Sequence, residues 1–413
     1  MNTTILFIAI IIILSADFLL ERFLAFLNIR HSKIALPDIL KDIYNADKYA
    51  RQQEYFRTNS SFGMLTSSFA FVLTFGMFVL GGFGWLDNLL ASYINNEIVK
   101  ALLFFAILFI ANDLLTIPFE IYDIFVIETR FGFNKVTPKI FVLDKLKSLL
   151  LTTLIGGGLI ALIMWIYILT PDYFWLLAWG AVTAFSLFMS LFYSEFIVPL
   201  FNKQTPLPEG ELRTAIENFA GKANFKLKNI YVIDGSKRST KANAYFTGFG
   251  PKKRIVLYDT LMDTMSNAEI VAVLAHEIGH YKHKHVIQSL MVSLPETLLM
   301  FFLLGIILKS DLLAQSLGGI YGATFELNII AFGILYAPVT TVLGLFSNYL
   351  SRRNEYQADA FAASHTLGNE LIAALKKLSS TSLSNLVPHP AYVFFHYSHP
   401  TLYQRITNIT SKL

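Results

Sequence analysis

Cysteine is absent from all 413 residues, which excludes disulfides and thiolate metal ligands. Any metal bound here must be held by histidine, aspartate or glutamate. Charge is also scarce: 15% of residues are Asp, Glu, Lys or Arg, against 54% hydrophobic. With a mean hydropathy of +0.52, that balance excludes an ordinary soluble domain and fits a chain that crosses a membrane many times. The net charge of +4 is modest and better explained by membrane topology than by nucleic acid, which is not expected as a partner. Internal repeats and low-complexity segments are lacking too. The first apolar stretch has no basic leader and no clear small-residue cleavage site, and Asp17, Glu21 and Arg22 stand at its far end; it reads as a retained helix rather than a signal peptide.

What is present is a series of seven apolar stretches long enough to span a bilayer, at about 4–28, 62–91, 98–118, 147–169, 173–201, 286–308 and 325–350. The expected fold class is therefore an α-helical polytopic membrane protein. Residues 1–201 hold helices one to five, 202–285 form a polar insert, 286–350 hold helices six and seven, and 351–413 form a C-terminal segment. Loop 29–61 carries Arg30, Lys33, Lys41, Lys48, Arg51 and Arg57, and loop 119–146 carries Arg130, Lys135, Lys139 and Lys145. By the excess of Lys and Arg in cytoplasmic loops, these segments, the insert and the C-terminus face the cytoplasm, with the N-terminus outside.

Within the insert, Pro206 to Glu211 reads as a stop followed by a helix over about 208–222. Strands are expected at 230–233, 242–249 and 254–258, the last two joined around Gly250-Pro251. Ser266-Asn267 is positioned to cap a helix running to about 285. A further helix is expected over about 352–378. The triplet Gly156-Gly157-Gly158 in the fourth span is expected to admit close helix packing.

The insert's last helix carries His276-Glu277-Ile278-Gly279-His280. H-E-x-x-H on a helix sets two imidazoles one turn apart on one face, able to share a zinc ion, with Glu277 beside the open position to take a proton from the attacking water. Gly279 leaves room for backbone or substrate to approach. A third ligand is needed. His283 shares the face but lies about 4.5 Å further along the axis than His280; it and His285 read as solvated or interfacial. Glu355 is the better candidate. It follows the seventh span, so two membrane crossings return it to the side of the first motif. Asp359, four residues on, can accept the N–H of a ligand histidine. The competing reading is an exposed charge pattern with Arg352.

These motifs, with Arg130-Phe131-Gly132-Phe133-Asn134-Lys135, Pro199-Leu200-Phe201-Asn202-Lys203, Asp234-Gly235-Ser236-Lys237-Arg238-Ser239, Asn243-Ala244-Tyr245-Phe246, Arg254-Ile255-Val256-Leu257 and Tyr397-Ser398-His399-Pro400, make the chain resemble the Ste24-type CAAX prenyl proteases, the integral-membrane branch of the M48 zinc metallopeptidases. The resemblance implies seven transmembrane helices enclosing a water-filled chamber, with one zinc near its cytoplasmic end. It assigns His276, His280 and Glu355 to zinc, Glu277 to the water, Asp359 to a supporting catalytic role and His399 to the oxyanion. Asn243, Ala244 and Tyr245 are expected to recognise an extended peptide by strand addition. A chamber also gives Asp17, Glu21, Arg22, Asn112, Asp113 and Glu195 somewhere other than lipid to face.

The expected activity is hydrolysis of a peptide bond near the bilayer, in a peptide or protein substrate, and by resemblance removal of the C-terminal tripeptide of a prenylated C-a-a-X protein. Two alternatives stand beside it. One is a bacterial membrane-protein quality-control protease without prenylated substrates, which the compact, cysteine-free chain suggests and which would sit in the inner membrane rather than the endoplasmic reticulum. The other is a transporter or channel with a structural zinc.

Overall fold

The computed structural model describes residues 2–225, 229–247 and 254–413. All seven expected stretches are helices long and apolar enough to cross a membrane. They are α1 (Thr3–His31), α2 (Ala46–Val79), α4 (Glu97–Tyr122), the pair α5 (Pro138–Leu151) and α6 (Gly157–Leu169), α7 (Phe174–Phe196), α12 (His285–Ile307) and α14 (Phe325–Ser364). The second apolar stretch, expected to be continuous to residue 91, breaks at Gly81, whose φ of 67° favours glycine; α3 (Gly82–Ala91) follows it. A π-helical turn, Thr152–Gly156, joins α5 to α6.

The glycine triplet does not serve close packing. A Cβ at Gly158 would meet nothing within 4 Å, and one at Gly157 only Leu102 at 3.9 Å. Three residues without side chains instead accompany the widened π turn, where the usual ladder is relaxed.

The surface area is 21071 Å², where a compact monomer of 46.6 kDa would show roughly 16000 Å². The spans touch along few faces and leave openings between them, including cavities of about 490 and 410 Å³. Charges within the spans use one another or these openings. Asp113 pairs with Lys145 at 2.8 Å and Glu195 with Arg254 at 2.5 Å. Arg22 donates to Ser67, Glu21 faces His396 at 3.5 Å, and Asn112 lines the 410 Å³ cavity.

The insert begins after the short α8 (Val198–Phe201). It contains α9 (Glu211–Lys222), α10 (Asp259–Thr264), α11 (Asn267–Lys282) and a four-stranded sheet. The strands are β1 (Gln204–Pro206), β2 (Asn229–Ile233), β3 (Ala244–Thr247) and β4 (Arg254–Tyr258), in the order β1-β2-β4-β3. β2 and β4 run parallel, with Ile230 opposite Ile255; β1 and β3 flank them antiparallel. β1 is not among the expected strands, and it ends on the Pro206 read as a stop; Pro206 is tolerated because it sits on an edge strand, where its missing N–H costs no ladder bond. Helix α9 starts just after Gly210 rather than at 208. The expected turn at Gly250-Pro251 and the end of the strand expected over 242–249 lie outside the described residues.

Ile255 and Leu257 of β4, Ile216 of α9 and Ile270, Leu274, Ala275 and Ile278 of α11 form one buried core, joined by Leu371 and Ala374 of α15 (Gly368–Thr381). Burying each such aliphatic side chain contributes about 1.5–3 kcal/mol. Helix α11 is thus held on several sides, and its start is fixed by a Ser266–Glu269 capping box, as the sequence suggests.

The C-terminal part departs from expectation. No separate helix begins at 352. Helix α14 runs unbroken for 40 residues from the membrane through Glu355 and Asp359, because neither glycine nor proline occurs between Gly344 and Gly368. The break comes at Thr366, with φ 62°, and α15 follows. α13 (Asp311–Ser316) lies in the turn between α12 and α14, and α16 (Pro390–His396) and α17 (Leu402–Thr410) complete the chain.

Candidate metal centre

Helices α11 and α14 cross closely beside the core, and Gly279 is the point of contact. A Cβ there would lie 3.0 Å from the Ala358 Cα and 3.0 Å from the Phe361 Cβ. Of the two uses expected for this glycine, it serves backbone approach. The crossing brings His276 and His280 opposite Glu355, and the hairpin of α12 and α14 provides the even number of crossings this requires.

The three residues form a buried or half-buried group whose ligand atoms all lie within 4.8 Å of one another. The two Nε2 atoms are 3.1 Å apart; His280 Nε2 is 3.2 Å from Glu355 Oε1, and His276 Nε2 is 3.5 Å from Glu355 Oε2. Ligands held about 2.0–2.2 Å from a first-row cation in tetrahedral geometry stand roughly 3.3 Å apart, so the triangle fits such an ion. Two further observations agree. Among the described residues, Glu355 Oε2 is buried and accepts no hydrogen bond. The carboxylates of Glu277, Glu355 and Asp359 share the Arg405 guanidinium, three acids against one arginine among the described residues.

Asp359 is fully buried, and its Oδ1 lies 2.9 Å from His276 Nδ1, turning the other ring nitrogen to the centre. Arg405 of α17 grips the same carboxylate with two hydrogen bonds, Nε to Oδ2 at 3.0 Å and Nη2 to Oδ1 at 2.6 Å. Its Nη1 also lies 3.3 Å from Glu355 Oε2. Burial works against the Arg405 charge, but the carboxylates of Asp359, Glu355 and Glu277 raise its pKa above the ordinary arginine value. Sequence reasoning missed Arg405. The available signal was the T-x-x-Q capping box at Thr401 and Gln404, which opens a helix just after His399.

His399 projects from the 397–400 loop, exposed, with Nε2 3.3 Å from Glu355 Oε1 and Nδ1 2.9 Å from Ser398 Oγ. Arg352 does not form the surface charge pattern weighed against the site; it donates to the Tyr397 carbonyl at 2.6 Å and holds that loop against α14. Glu277 and His280 line the 490 Å³ cavity, which continues between α12 and α14 past Ser289, Ser293 and Glu296.

His283 is exposed, caps the end of α11 and stays outside the group. His285 is neither solvated nor interfacial as expected: it is 4% exposed, and its Nδ1 lies 2.9 Å from His280 Nδ1. The left-handed Lys284, φ 57°, turns the chain so that this ring folds back on α11.

The residues expected to recognise substrate sit at and just before β3. β3 pairs only with β4 among the described strands. Asn243 is exposed immediately before it, and its Oδ1 accepts from the Ala244 N–H. The Tyr245 hydroxyl lies 3.2 Å from Ser194 of α7, and burial raises its pKa. Among the described residues, no hydrogen bond or ring contact joins Asn243, Ala244 or Tyr245 to the metal-centre residues.

Comparison with known proteins accounts for nearly the whole chain. The family model described as CAAX prenyl protease N-terminal, five membrane helices, matches residues 25–203, and that of peptidase family M48 matches 206–413. The chain is 37% identical to the CAAX prenyl protease 1 homolog of Oryza sativa subsp. japonica, over 93% of each chain. To CAAX prenyl protease 1 of Saccharomyces cerevisiae it is 33% identical, over 95% of this chain and 92% of that one. The crystal structure of S. mikatae Ste24p superimposes with a TM-score of 0.92 at 31% identity, covering 99% of this chain and all of that one. These matches disfavour the transporter or channel reading. The chain belongs to peptidase family M48, in its CAAX prenyl protease branch, and is a multi-pass membrane metalloendopeptidase.

Proposed function

We propose that the centre is a zinc site at which a peptide bond is hydrolysed on the cytoplasmic side of the membrane, and that the substrate is the C-terminal tripeptide of a prenylated C-a-a-X protein. The observation that carries this reading is the convergence of His276, His280 and Glu355 on one point, with Glu277 on the wall of an adjoining cavity. The substrate rests on the relatives' names; those from rice, budding yeast and human are all CAAX prenyl protease 1 or its homologs, at 31–37% identity. They favour this reading over membrane-protein quality control.

His276, His280 and Glu355 would hold the ion, and Asp359 and Arg405 keep His276 turned toward it. Zinc, when bound, supplies Lewis acidity that polarises the scissile carbonyl and acidifies water. Glu277 takes the proton of the attacking water and passes it to the leaving amine. His399, on the open side of Glu355, donates to the developing oxyanion. The open edge of β3, with Asn243, Ala244 and Tyr245, takes the extended substrate as an added strand. Openings between the spans admit the prenyl chain from the bilayer.

The test uses the full chain in detergent with two peptides differing only in a farnesyl group on the C-a-a-X cysteine. Release of the tripeptide from the farnesylated peptide, with kcat/KM at least about tenfold above the bare one, is expected: partial burial of an isoprenoid, worth about 0.8 kcal/mol per CH₂, readily exceeds the 1.4 kcal/mol this requires. Equal cleavage of both, or preference for unfolded membrane proteins, would return the quality-control reading.

A further inference from the structure

The two ligand histidines are oriented by different means. His276 leans on a carboxylate that is itself gripped by Arg405. Among the described residues no carboxylate stands behind His280; its Nδ1 meets the Nδ1 of His285 at 2.9 Å, and the His285 Nε2 meets Gln357 Oε1 at 2.9 Å. The His280 and His285 rings are 5.0 Å apart at 74°, and His283 stacks on the outer face of His285 at 5.5 Å. Gln357 stands between Glu355 and Asp359 on α14, so the relay starts on the helix that carries the third ligand.

We propose that His285 and Gln357 are positioning residues that fix the tautomer and ring angle of His280. This rests on the reading of His280 as a ligand. A neutral imidazole offers one donor and one acceptor, and an amide oxygen can only accept. With the Gln357 oxygen facing it, His285 carries its proton on Nε2 and presents a lone pair at Nδ1. His280 must then donate from Nδ1, which leaves its Nε2 lone pair pointing at His276 Nε2 and Glu355. The reverse polarity, with the Gln357 amide turned over, would place a proton on His280 Nε2 in the middle of the three ligand atoms. Only one direction of the relay agrees with the geometry of the centre. Because the relay is neutral, it orients His280 without adding a further carboxylate to an already acidic cluster. It also ties α12, the sixth span, to the centre.

The test is cobalt binding by the stripped full-length protein in detergent, followed by the d–d absorption of the bound ion and by chelator competition. Gln357→Leu removes the acceptor; Gln357→Glu keeps it. The expectation is that Gln357→Leu weakens cobalt binding roughly 10–100-fold and alters the spectrum. Gln357→Glu should bind within about threefold of the unaltered chain, or tighter. If Gln357→Leu binds like the unaltered protein, or Gln357→Glu loses as much as Gln357→Leu, the relay is overturned. Failure of the unaltered protein to bind cobalt would instead overturn the metal-site reading. A measurement without any variant guards against misfolding: in ¹⁵N-histidine-labelled protein loaded with zinc, His285 should be protonated on Nε2, with a coupling across the hydrogen bond to His280. A proton on His285 Nδ1 would refute the proposal.

Discussion

Glu277 is the one acid of the centre that makes no hydrogen bond or ion pair among the described residues, while Glu355 and Asp359 are buried and engaged. A ligand and a proton carrier need opposite environments: the first must be fixed, the second must reach substrate. Glu277→Gln should lower turnover by roughly 10²–10⁴ while metal content stays at that of the unaltered protein. Glu355→Gln should lose metal. Metal analysis beside peptide hydrolysis separates the two, and loss of metal from the Glu277 variant would make it a ligand. The same contrast shows the limit of motif reading. His276, Glu277 and His280 announce themselves by spacing, and Glu355 and Asp359 by theirs. Arg405 and His285 lack such a signature, because their partners are 46 and five residues away and meet them only after helices pack.

At the scale of elements, the centre is a crossing of two helices, and its precision depends on how closely they approach. Gly279→Ala would put a methyl 3.0 Å from the backbone of Ala358, where no flexible side chain can yield. Overpacking of this kind costs about 1–3 kcal/mol. Thermal unfolding should shift down by several degrees, and metal binding should weaken because the two helices carry opposite ligands. An unshifted melting curve would show that they part without cost. The start of α11 carries a pH signature. Burial alone would raise the Glu269 carboxyl, but Lys377 at 2.7 Å and the Ser266 capping bonds hold it below its ordinary value of 4.5. A depressed folded-state pKa stabilises the fold above the unfolded value and is lost as pH falls through the folded one. Glu269→Gln should therefore lower stability at neutral pH by about 1 kcal/mol and flatten its decline below about pH 4.5. Parallel acid limbs for the two proteins would sink this assignment.

At the scale of the whole molecule, the loops carry a prediction of sidedness. If the excess of Lys and Arg in 29–61 and 119–146 marks the cytoplasmic side, the insert and the C-terminal segment face the cytoplasm, and this is open to test. Because the chain has no cysteine, single cysteines at exposed Lys222, Lys412 and Gln315 report without background. The first two should label only with reagents that enter the cytoplasm, and Gln315 only from outside. Exchange of these patterns would invert the topology; labelling of Lys222 and Lys412 from opposite sides would contradict the hairpin that unites the motifs.

The sequence by itself determined the seven spans and the capped helix of the first motif, and it pointed to five residues that the fold brings together. These are written in local terms: apolar length, helical spacing, capping chemistry. Tertiary structure alone decided that α14 runs unbroken into the centre, that Gly279 serves a helix crossing, and that the glycine triplet accompanies a π turn. It alone brought Arg405 to Asp359 and folded His285 back onto His280. Contacts between distant segments are chosen by which faces bury together, and a side chain's partner across such a face leaves no period in the chain for a reader to find.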